Sequence, residues 1–388
     1  MRILIIHRYF WPEDSAAEEP LMLKDYVDWH RSKGHEVELV FGAKESHKKY
    51  WKKEFDQNVK FNFFVANVDR ESSFVQRIIS SIKVLFFALK CVIFKKHFDL
   101  IYVFSGPPLI SFIINIVNLM KIKKSDIILI LQDNLIYRIR NNFLKFLFKK
   151  YIKYTVLISN KVIVLSDPMK AEILSYFSKV EKDQIEKKIF ILVNFCFDLD
   201  YKTVQTNKDR KIDILYAGNH GPSQGLMNFL DVIAEIQSHQ SLDIYFYGDG
   251  TQKNKIIQKS NELNLNIKFN DPVPRHKIKE IMAHSRFGLV SMDTSLSNYA
   301  FPSKLAAYLS CGTKVIISSN GEDPLKDYVK KYNFGFAIDS SNVSKAAESL
   351  IENLAASKGN NHYEFSKEVL DQFDKKTYFK TLDRIVFK

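Results

Sequence analysis

Gly218, Gly221 and Gly225 follow directly on a short apolar run, and a helical pattern begins immediately after them. This order predicts a buried strand, a small-residue loop at 218–225 and the N-terminus of a helix. The backbone N–H groups and the helix dipole of such an arrangement can bind an anion such as a phosphate. A tight turn between strand and helix would use the same glycines, so the loop alone leaves both interpretations open.

A lysine occupies a second position that suits an anion. Pro302 and Ser303 are predicted to open a helix, and Lys304 follows in its first turn. A positive charge there opposes the helix dipole and is stabilised if an anion binds beside it. The alternative is a solvated surface lysine.

The elements that would position these residues form two successive α/β patterns. Short apolar runs alternate with helical patterns on both sides of a polar stretch, 198–211, that has no apolar periodicity. We therefore predict two doubly wound Rossmann-like domains facing across a cleft, at 1–197 and 212–362, joined by a linker at 198–211. A helical tail at 363–388 is predicted to pack back on the first domain. Ligands of such sheets bind beyond the carboxyl ends of the strands.

The net charge of +13 is concentrated in one part of the chain. Between positions 52 and 161 there are 19 lysines and arginines against 7 aspartates and glutamates. The predicted helices at 72–96 and 136–154 combine this charge with many aromatic and aliphatic residues, which favours contact with an anionic membrane surface over an ordinary solvated face. No nucleic-acid-binding module is recognised, and we predict no nucleic-acid partner.

The cellular location follows from cysteine usage and hydropathy. Three widely spaced cysteines, Cys91, Cys196 and Cys311, form neither a disulfide framework nor a metal-binding pattern, which favours a reducing cytoplasm. The chain begins in a strand pattern without the features of a signal peptide, and its apolar runs are too short to span a bilayer. We predict a cytoplasmic protein, peripheral on the inner face of the cytoplasmic membrane.

Ordered motifs along nearly the whole chain resemble the retaining GT-B glycosyltransferases of family 4, and among them the branch of bacterial capsule and O-antigen clusters. The motifs are YAGNHGPSQGL at 216–226, YGDG at 247–250, VP at 273–274, FPSKL at 301–305 with Gly312, and YFWPE at 9–13, KGHEV at 33–37 and QD at 132–133. The resemblance implies a nucleotide-sugar donor, which we expect to be a UDP-sugar, with no cofactor and no metal.

The resemblance also implies roles for individual residues. It places Asp133, Glu13 and Lys304 in the catalytic set, with Asp133 and Glu13 facing the sugar from the first domain. The donor-binding residues would be Gly218, Asn219, His220, Gly221, Gln224, Asp249, Val273, Asp293, Asn298, Ser303, Lys304 and Leu305. The segment 271–274 would lie near the base. For Asp249 a turn is the alternative role, and for His220 a structural role.

The sequence departs from the family pattern at two places. Many members carry a basic pair in the diphosphate loop, where this chain has Asn219 and Gln224. Many also carry two glutamates where this chain has Tyr299 and Ala307, so Asp293 or Asn298 would have to replace their contacts with the ribose and the sugar.

Three functions remain to be distinguished. The resemblance favours a hexosyl- or N-acetylaminosugar transferase that acts on an undecaprenyl-diphosphate-linked or other lipid-linked glycan in O-antigen or capsule synthesis. A sugar-nucleotide epimerase of the same fold, or a non-catalytic GT-B-like partner subunit, is the alternative. A Rossmann dehydrogenase is disfavoured because no G-x-G-x-x-G follows the first strand.

Overall fold

The chain forms two compact units, each built around a parallel sheet. The computed structural model describes residues 1–9, 20–43, 60–65, 74–104, 109–132, 136, 139, 141–195, 210–237, 240–294, 302–357 and 365–387. The first unit comprises Met1–Leu192 with Leu382–Lys388, and the second comprises Val193–Thr381.

The first unit contains a seven-stranded sheet with the order β3-β2-β1-β4-β5-β6-β7, in which every neighbouring pair is parallel. Its strands are β1 Arg2–Tyr9, β2 Glu36–Ala43, β3 Lys60–Val65, β4 Leu100–Phe104, β5 Asp126–Leu131, β6 Lys161–Val164 and β7 Ile189–Ile191. The central strands are buried on both faces and consist almost entirely of aliphatic residues, as parallel sheets covered by helices require.

The helices of this unit are α1 Pro20–Ser32, α2 Phe74–Phe94, α3 Ile110–Leu119, α4 Asn142–Ile158, α5 Asp167–Ser175 and α6 Lys179–Glu186. The connections through α2, α3 and α4 all advance from β3 toward β6 in the same direction across the sheet. Since such crossovers are right-handed, these three helices form a single layer on one face. A hydrogen bond of 2.8 Å between Ser111 and Tyr151 joins α3 to α4, and Lys121 donates to the Val92 carbonyl oxygen of α2 at 3.0 Å.

The boundaries of α4 differ from the prediction of a helix at 136–154. Asn141 adopts an extended conformation, and its side chain accepts a hydrogen bond from the N–H of Leu144 at 3.0 Å. Because of this N-cap the helix begins at Asn142. It ends at Ile158, four residues beyond the predicted end. Within the described ranges, no helix is long and apolar enough to cross a membrane.

The second unit contains a six-stranded parallel sheet with the order β10-β9-β8-β11-β12-β13. Its strands are β8 Ile212–Ala217, β9 Ile244–Tyr247, β10 Ile267–Asn270, β11 Ser285–Met292, β12 Lys314–Ser319 and β13 Gly335–Asp339. The edge strand β13 is an addition to the predicted elements. Together the two sheets confirm the predicted α/β architecture.

Helices cover both faces of the second sheet: α7 Leu226–Gln237, α8 Lys253–Glu262, α9 Arg275–Ala283, α10 Ser303–Ser310, α11 Pro324–Tyr332, α12 Val343–Ala356 and α13 Lys367–Phe373. The last helix, α14 Lys375–Phe387, begins in the second unit and ends in the first. The tail is therefore two helices. Asp374 separates them because its backbone is extended, and its carboxylate caps the second helix by accepting from the N–H of Thr377 at 2.8 Å.

The predicted linker lies largely outside the described residues, but its last two residues, Arg210 and Lys211, are described. Arg210 is buried and donates hydrogen bonds of 2.6 Å to the carbonyl oxygens of Ser285 and Gly312. This anchors the chain just before β8, at the centre of the second sheet.

The central strands of the second sheet separate toward their carboxyl ends. The pairing of β8 with β11 ends at Leu215 and Gly288. Beyond that point the hydroxyl of Tyr308, from α10, accepts from the N–H of Ala217 and donates to the carbonyl oxygen of Leu215, both at 2.9 Å. A Cβ on Gly288 would lie 2.3 Å from the Tyr308 ring, so the glycine makes room for this side chain. Strand order reverses at this opening, where ligands of doubly wound sheets bind.

We expect Tyr308→Phe to lower the free energy of unfolding by about 1–3 kcal/mol, because it leaves two buried backbone groups without a partner. Tyr332→Phe is the matched control, since within the described residues no hydrogen bond reaches the Tyr332 hydroxyl, and its effect should stay within about 0.5 kcal/mol. Urea unfolding measures both. Equal stabilities for the two variants would contradict the bridging role.

Candidate functional site

The loop at 218–225 leaves β8 beside the loop after β9 and is hydrogen-bonded to it. The N–H of Gly218 donates to the Tyr247 carbonyl oxygen at 2.9 Å, and that of His220 to the Asp249 carbonyl oxygen at 2.8 Å. Both bonds extend the ladder toward the loop after β9. The N–H groups of Asn219 and Gly221 alternate with these two along the chain. In the described part of the chain these two N–H groups donate no hydrogen bond. An anion at this loop would therefore meet two backbone donors.

Lys304 extends from the first turn of α10 to this loop. The residue is only 8% exposed, and its Nζ lies 3.6 Å from the position of a Cβ on Gly218. The ammonium donates to the Tyr216 hydroxyl at 3.2 Å and to the Gln224 side-chain oxygen, and it lies 4.4 Å from the centre of the Tyr216 ring. Both hydrogen bonds are made to uncharged groups.

The resemblance predicts a basic pair at positions 219 and 224, where this chain has Asn219 and Gln224. These two residues contact Lys304 and its neighbour Tyr216 through uncharged oxygen atoms. The Tyr216 hydroxyl donates to the Asn219 carbonyl oxygen at 2.5 Å and lies 3.3 Å from the Gln224 side-chain oxygen. Tyr216 is itself buried in the core of the sheet. The polar groups around the lysine thus orient its ammonium and add no charge of their own.

Asp293 lies at the end of β11, on the other side of the opening. Its N–H donates to the Ser223 carbonyl oxygen at 3.0 Å, which ties the loop after β8 to the end of β11. Its carboxylate accepts from the Asn320 side chain at 3.1 Å, and Asn320 also accepts from the N–H of Thr294 at 2.8 Å. The loop after β12 therefore holds Asp293 at the carboxyl edge of the sheet.

Asp249 has the contacts of a turn residue. Its side chain is exposed, and a carboxylate oxygen accepts from the N–H of Gly250 at 2.8 Å. The preceding Gly248 has a φ of 140°, and a Cβ there would lie 1.9 Å from the Gly218 carbonyl oxygen. The contact between the two loops therefore requires glycine at position 248.

The segment 271–274 follows β10. Asp271 is exposed and forms an ion pair of 2.7 Å with Lys253, and this hydrogen bond lowers the pKa of the Asp271 carboxyl below its usual value. Val273 is half-buried. The structure places this segment at the same sheet edge as the loops after β8 and β9, two strands away from β8.

The remaining donor-binding predictions on α10 fall on both sides of the helix. Ser303 is exposed in the first turn. Leu305 is fully buried in the core, and its N–H donates to the Pro302 carbonyl oxygen at 3.0 Å, so its role here is to anchor the helix start. Ala307 is also a core residue. The structure thus has no carboxylate at position 307, where the resemblance predicts a glutamate.

His220 is fully buried beneath the loop. Its ring packs against Tyr216 and Phe246, at centroid distances of 5.4 and 6.2 Å. Neither ring nitrogen has a hydrogen-bond partner among the described residues. Burial, followed by the charges of Lys253 and Lys304, lowers the pKa of His220 from 6.5 to about 4, so the imidazole is neutral at pH 7.

Glu13, Asp133 and Asn298 lie outside the described residues, as does Tyr299. Lys304 is thus the member of the predicted catalytic set that the structure places. It lies with Gly218, Asn219 and Gln224 at the opening of the second sheet. Over the described ranges, no group of three or more His, Cys, Asp or Glu side chains could hold a metal ion.

Two residues of the site, Tyr216 and Tyr308, are absent from the sequence-based prediction. Tyr216 lies in an apolar run of β8 that is buried on both faces, and this indicates only a core position. Tyr308 stands four positions after Lys304, on the same helical face. A glycine inside β11, Gly288, is the one local signal of its close approach.

The chain is similar to known glycosyltransferases in its sequence pattern and in its fold. Residues 199–368 match the family model described as "Glycosyl transferases group 1". No curated protein matches the sequence. The match confirms the predicted enzyme class, a glycosyltransferase.

Solved structures of similar fold cover the whole chain. The apo lipopolysaccharide outer core galactosyltransferase WaaB is 14% identical, with 100% of this chain and 99% of that one covered and a TM-score of 0.66. HepE from Anabaena in complex with UDP is 14% identical, with 100% of both chains covered and a TM-score of 0.67. A variant of S. aureus TarM, in complex with Fondaparinux, alpha-GlcNAc-glycerol and UDP, is 11% identical, with 99% of both chains covered and a TM-score of 0.67. These similarities confirm the GT-B fold.

The contact between the loops after β8 and β9 can be tested with two alanine substitutions at glycines of positive φ. Gly248→Ala should lower the free energy of unfolding by more than about 3 kcal/mol, because its Cβ would overlap the Gly218 carbonyl oxygen. Gly34→Ala, with a φ of 76° and open space around its Cβ, should cost about 1 kcal/mol from backbone strain alone. Urea unfolding that gives the same loss for both would contradict the close approach.

The burial of His220 predicts a pH dependence of stability. The unfolded chain protonates this histidine near pH 6.5, whereas the folded chain does so only near pH 4, so the free energy of unfolding falls as the pH decreases through this window. Wild type should lose about 3 kcal/mol more than His220→Leu between pH 7 and pH 4. His30, whose pKa is also about 4, contributes equally to both proteins. Parallel pH profiles of urea unfolding would contradict a neutral, buried His220.

Proposed function

We propose that this chain is a retaining family 4 glycosyltransferase that moves a sugar from a UDP-sugar to a lipid-linked glycan in O-antigen or capsule synthesis. The observation that carries the proposal is the buried Lys304 ammonium, held over Gly218 at the point where the strand order of the second sheet reverses. The chemistry of glycosyl transfer explains why a cation belongs there.

Departure of the nucleoside diphosphate leaves negative charge on the leaving phosphate. A fixed cation and fixed N–H donors stabilise this developing charge without reorganisation during the reaction. Lys304, the N–H groups of Asn219 and Gly221, and the N-terminus of α10 supply such an environment. In this proposal they also take the place of a metal ion, and no cofactor is required.

The uridine nucleotide is the donor class best supported. HepE and the TarM variant were both solved with UDP. In this chain the base would lie along the segment 271–274, and the diphosphate would lie between the loop at 218–225 and α10. Asp293 and Asn298, at and after the end of β11, would bind the ribose or the sugar in place of the family glutamates.

Transfer with retention requires little covalent chemistry from the protein. The acceptor hydroxyl oxygen bonds to the anomeric carbon on the face that the diphosphate leaves. The bond from that carbon to the phosphate oxygen breaks, and the hydroxyl proton passes to the leaving phosphate. Asp133 and Glu13 are proposed to orient the sugar and the acceptor. The acceptor would be an undecaprenyl-diphosphate-linked or similar glycan, with the enzyme on the inner face of the cytoplasmic membrane.

Thermal unfolding across a panel of nucleotides and nucleotide sugars tests the donor site. A ligand that binds the folded state raises its stability by RT ln(1 + [L]/Kd), so UDP and one UDP-sugar should give the largest increase. Lys304→Met should weaken UDP binding by roughly 10- to 100-fold, the value of a hydrogen bond to a charged group. Lys345→Met, which changes an exposed lysine of α12, is the matched control and should bind like wild type.

Transfer of labelled sugar to a membrane lipid extract tests the reaction. Lys304→Met should lower the rate by about 10²- to 10³-fold. A panel in which no nucleotide stabilises wild type would disprove the donor site. Nucleotide binding without any transfer would favour a non-catalytic subunit. Conversion of the UDP-sugar without an acceptor would favour the epimerase.

A further inference from the structure

Exposed large hydrophobic side chains are concentrated on one part of the first unit. Of the 19 such residues in the described ranges, 16 lie between Ile78 and Tyr154, and the second unit has none. The exceptions are Met1, Val180 and Phe387. Isolated exposed apolar residues are normal, but a concentration of this kind marks an interaction surface.

These residues lie on the layer formed by α2, α3 and α4. The inward stripe of α2, with Val84, Ala88 and Val92, packs into the core. Its outward stripe bears Ile82, 60% exposed, and Phe86, 63% exposed. The other exposed residues of the layer are Ile78, Ile79, Ile93 and Phe94 on α2; Leu109, Ile116, Leu119, Met120 and Ile122 on and next to α3; and Phe143, Leu144, Phe146, Leu147 and Tyr154 on α4. We call this outward surface the α2–α4 face.

The α2–α4 face is also strongly basic. None of the three helices contains an aspartate or a glutamate. Exposed lysines lie among the apolar residues, namely Lys83 and Lys90 on α2 and Lys149 and Lys150 on α4. Lys150 lies 5.5 Å from the centre of the Phe146 ring, so charged and apolar groups share the same stretch of surface.

We propose that the α2–α4 face lies on an anionic lipid bilayer, with its apolar side chains inserted among the acyl chains and its lysines at the lipid phosphates. Helices of this composition rest in the interface with their apolar faces buried roughly 5–10 Å deep. Long lysine side chains can reach back to the headgroups while their stems stay among apolar groups. The proposal deepens the proposed function, on which it rests for the identity of the acceptor.

The charge pattern favours a bilayer over other occupants. A two-fold contact between two copies of the chain would bring the same lysines together without acidic partners from these helices, and like charges at such an interface repel. The phosphates of a nucleic acid would pair with the lysines. They would leave most of the exposed aliphatic and aromatic side chains in contact with water, because only aromatic side chains stack on bases. An anionic bilayer satisfies both components at once.

Flotation with vesicles tests the proposal, with full-length protein and two vesicle compositions: phosphatidylcholine alone, and phosphatidylcholine mixed with phosphatidylglycerol. Wild type should bind the mixed vesicles more tightly, and less tightly as salt is raised. The variant Lys83→Glu/Lys149→Glu/Lys150→Glu should lose on the order of 100-fold in affinity, since each lysine near the surface contributes about fivefold. The variant Ile82→Ser/Phe86→Ser/Phe146→Ser should lose binding to both compositions.

Matched substitutions outside the face are the controls. The charge control makes the same change on exposed lysines of the second unit, with the variant Lys255→Glu/Lys330→Glu/Lys345→Glu. The apolar control is Val180→Ser, which replaces a valine of α6 that is 90% exposed. Both should bind vesicles within about twofold of wild type, apart from the weak effect of net charge.

Several outcomes would overturn the proposal. One is that wild type does not bind vesicles, and another is that the control variants lose as much binding as the variants of the α2–α4 face. A third is that wild type forms a dimer by light scattering, that the Ile82/Phe86/Phe146 variant is a monomer, and that neither binds vesicles. Preferential binding to single-stranded nucleic acid over vesicles would also overturn it. UDP binding is measured on every variant. If wild type binds UDP but not vesicles, the membrane proposal fails alone, and if it binds vesicles but no nucleotide, the proposed function fails alone.

Discussion

The opening between β8 and β11 is the constraint on which the second unit depends. Parallel strands normally satisfy each other's backbone groups, and beyond Leu215 the hydroxyl of Tyr308 takes the place of the missing neighbour. Lys304 lies one turn earlier on the same face of α10, so the helix that completes the sheet is also the helix that delivers the cation. A shift of α10 would displace both Tyr308 from β8 and Lys304 from the loop at 218–225. The packing of α10 therefore determines the geometry of the site.

The environment of Lys304 shows how a buried charge can be kept available. Burying an ammonium is costly unless polar groups replace its water, and Tyr216 and Gln224 provide hydrogen-bond acceptors with a π face nearby. These two acceptors are neutral, and they hold the ammonium in position. The replacement of a basic pair by Asn219 and Gln224 therefore shifts the loop toward one well-oriented cation supported by two backbone donors.

The sequence alone predicts the strands and the loop at 218–225, because hydrophobic periodicity and glycine spacing are local properties of the chain. What it misses depends on distant contacts. Tyr216 and Lys304 are 88 positions apart, and Tyr308 and Ala217 are 91 apart, so no local pattern joins them.

Element boundaries and burial are also hard to predict from the sequence. The predicted start of α4 is wrong because the cap formed by Asn141 outweighs the apolar pattern before it. The short edge strand β13 was missed because it is stabilised mainly by pairing with β12. His220 lies in a predicted loop, and only the tertiary fold buries it.

The close approach of Gly218 and Gly248 divides the loop into parts that differ in their tolerance of mutation. Gly248 cannot accept a side chain, because its Cβ would overlap the Gly218 carbonyl oxygen, whereas Asn219 and Gln224 act through groups that other polar residues could supply. Over evolutionary time such a loop can exchange its side chains by neutral drift while the shape of the backbone persists. A change of the residues at positions 219 and 224 therefore alters the distribution of charge at the site without requiring a new backbone.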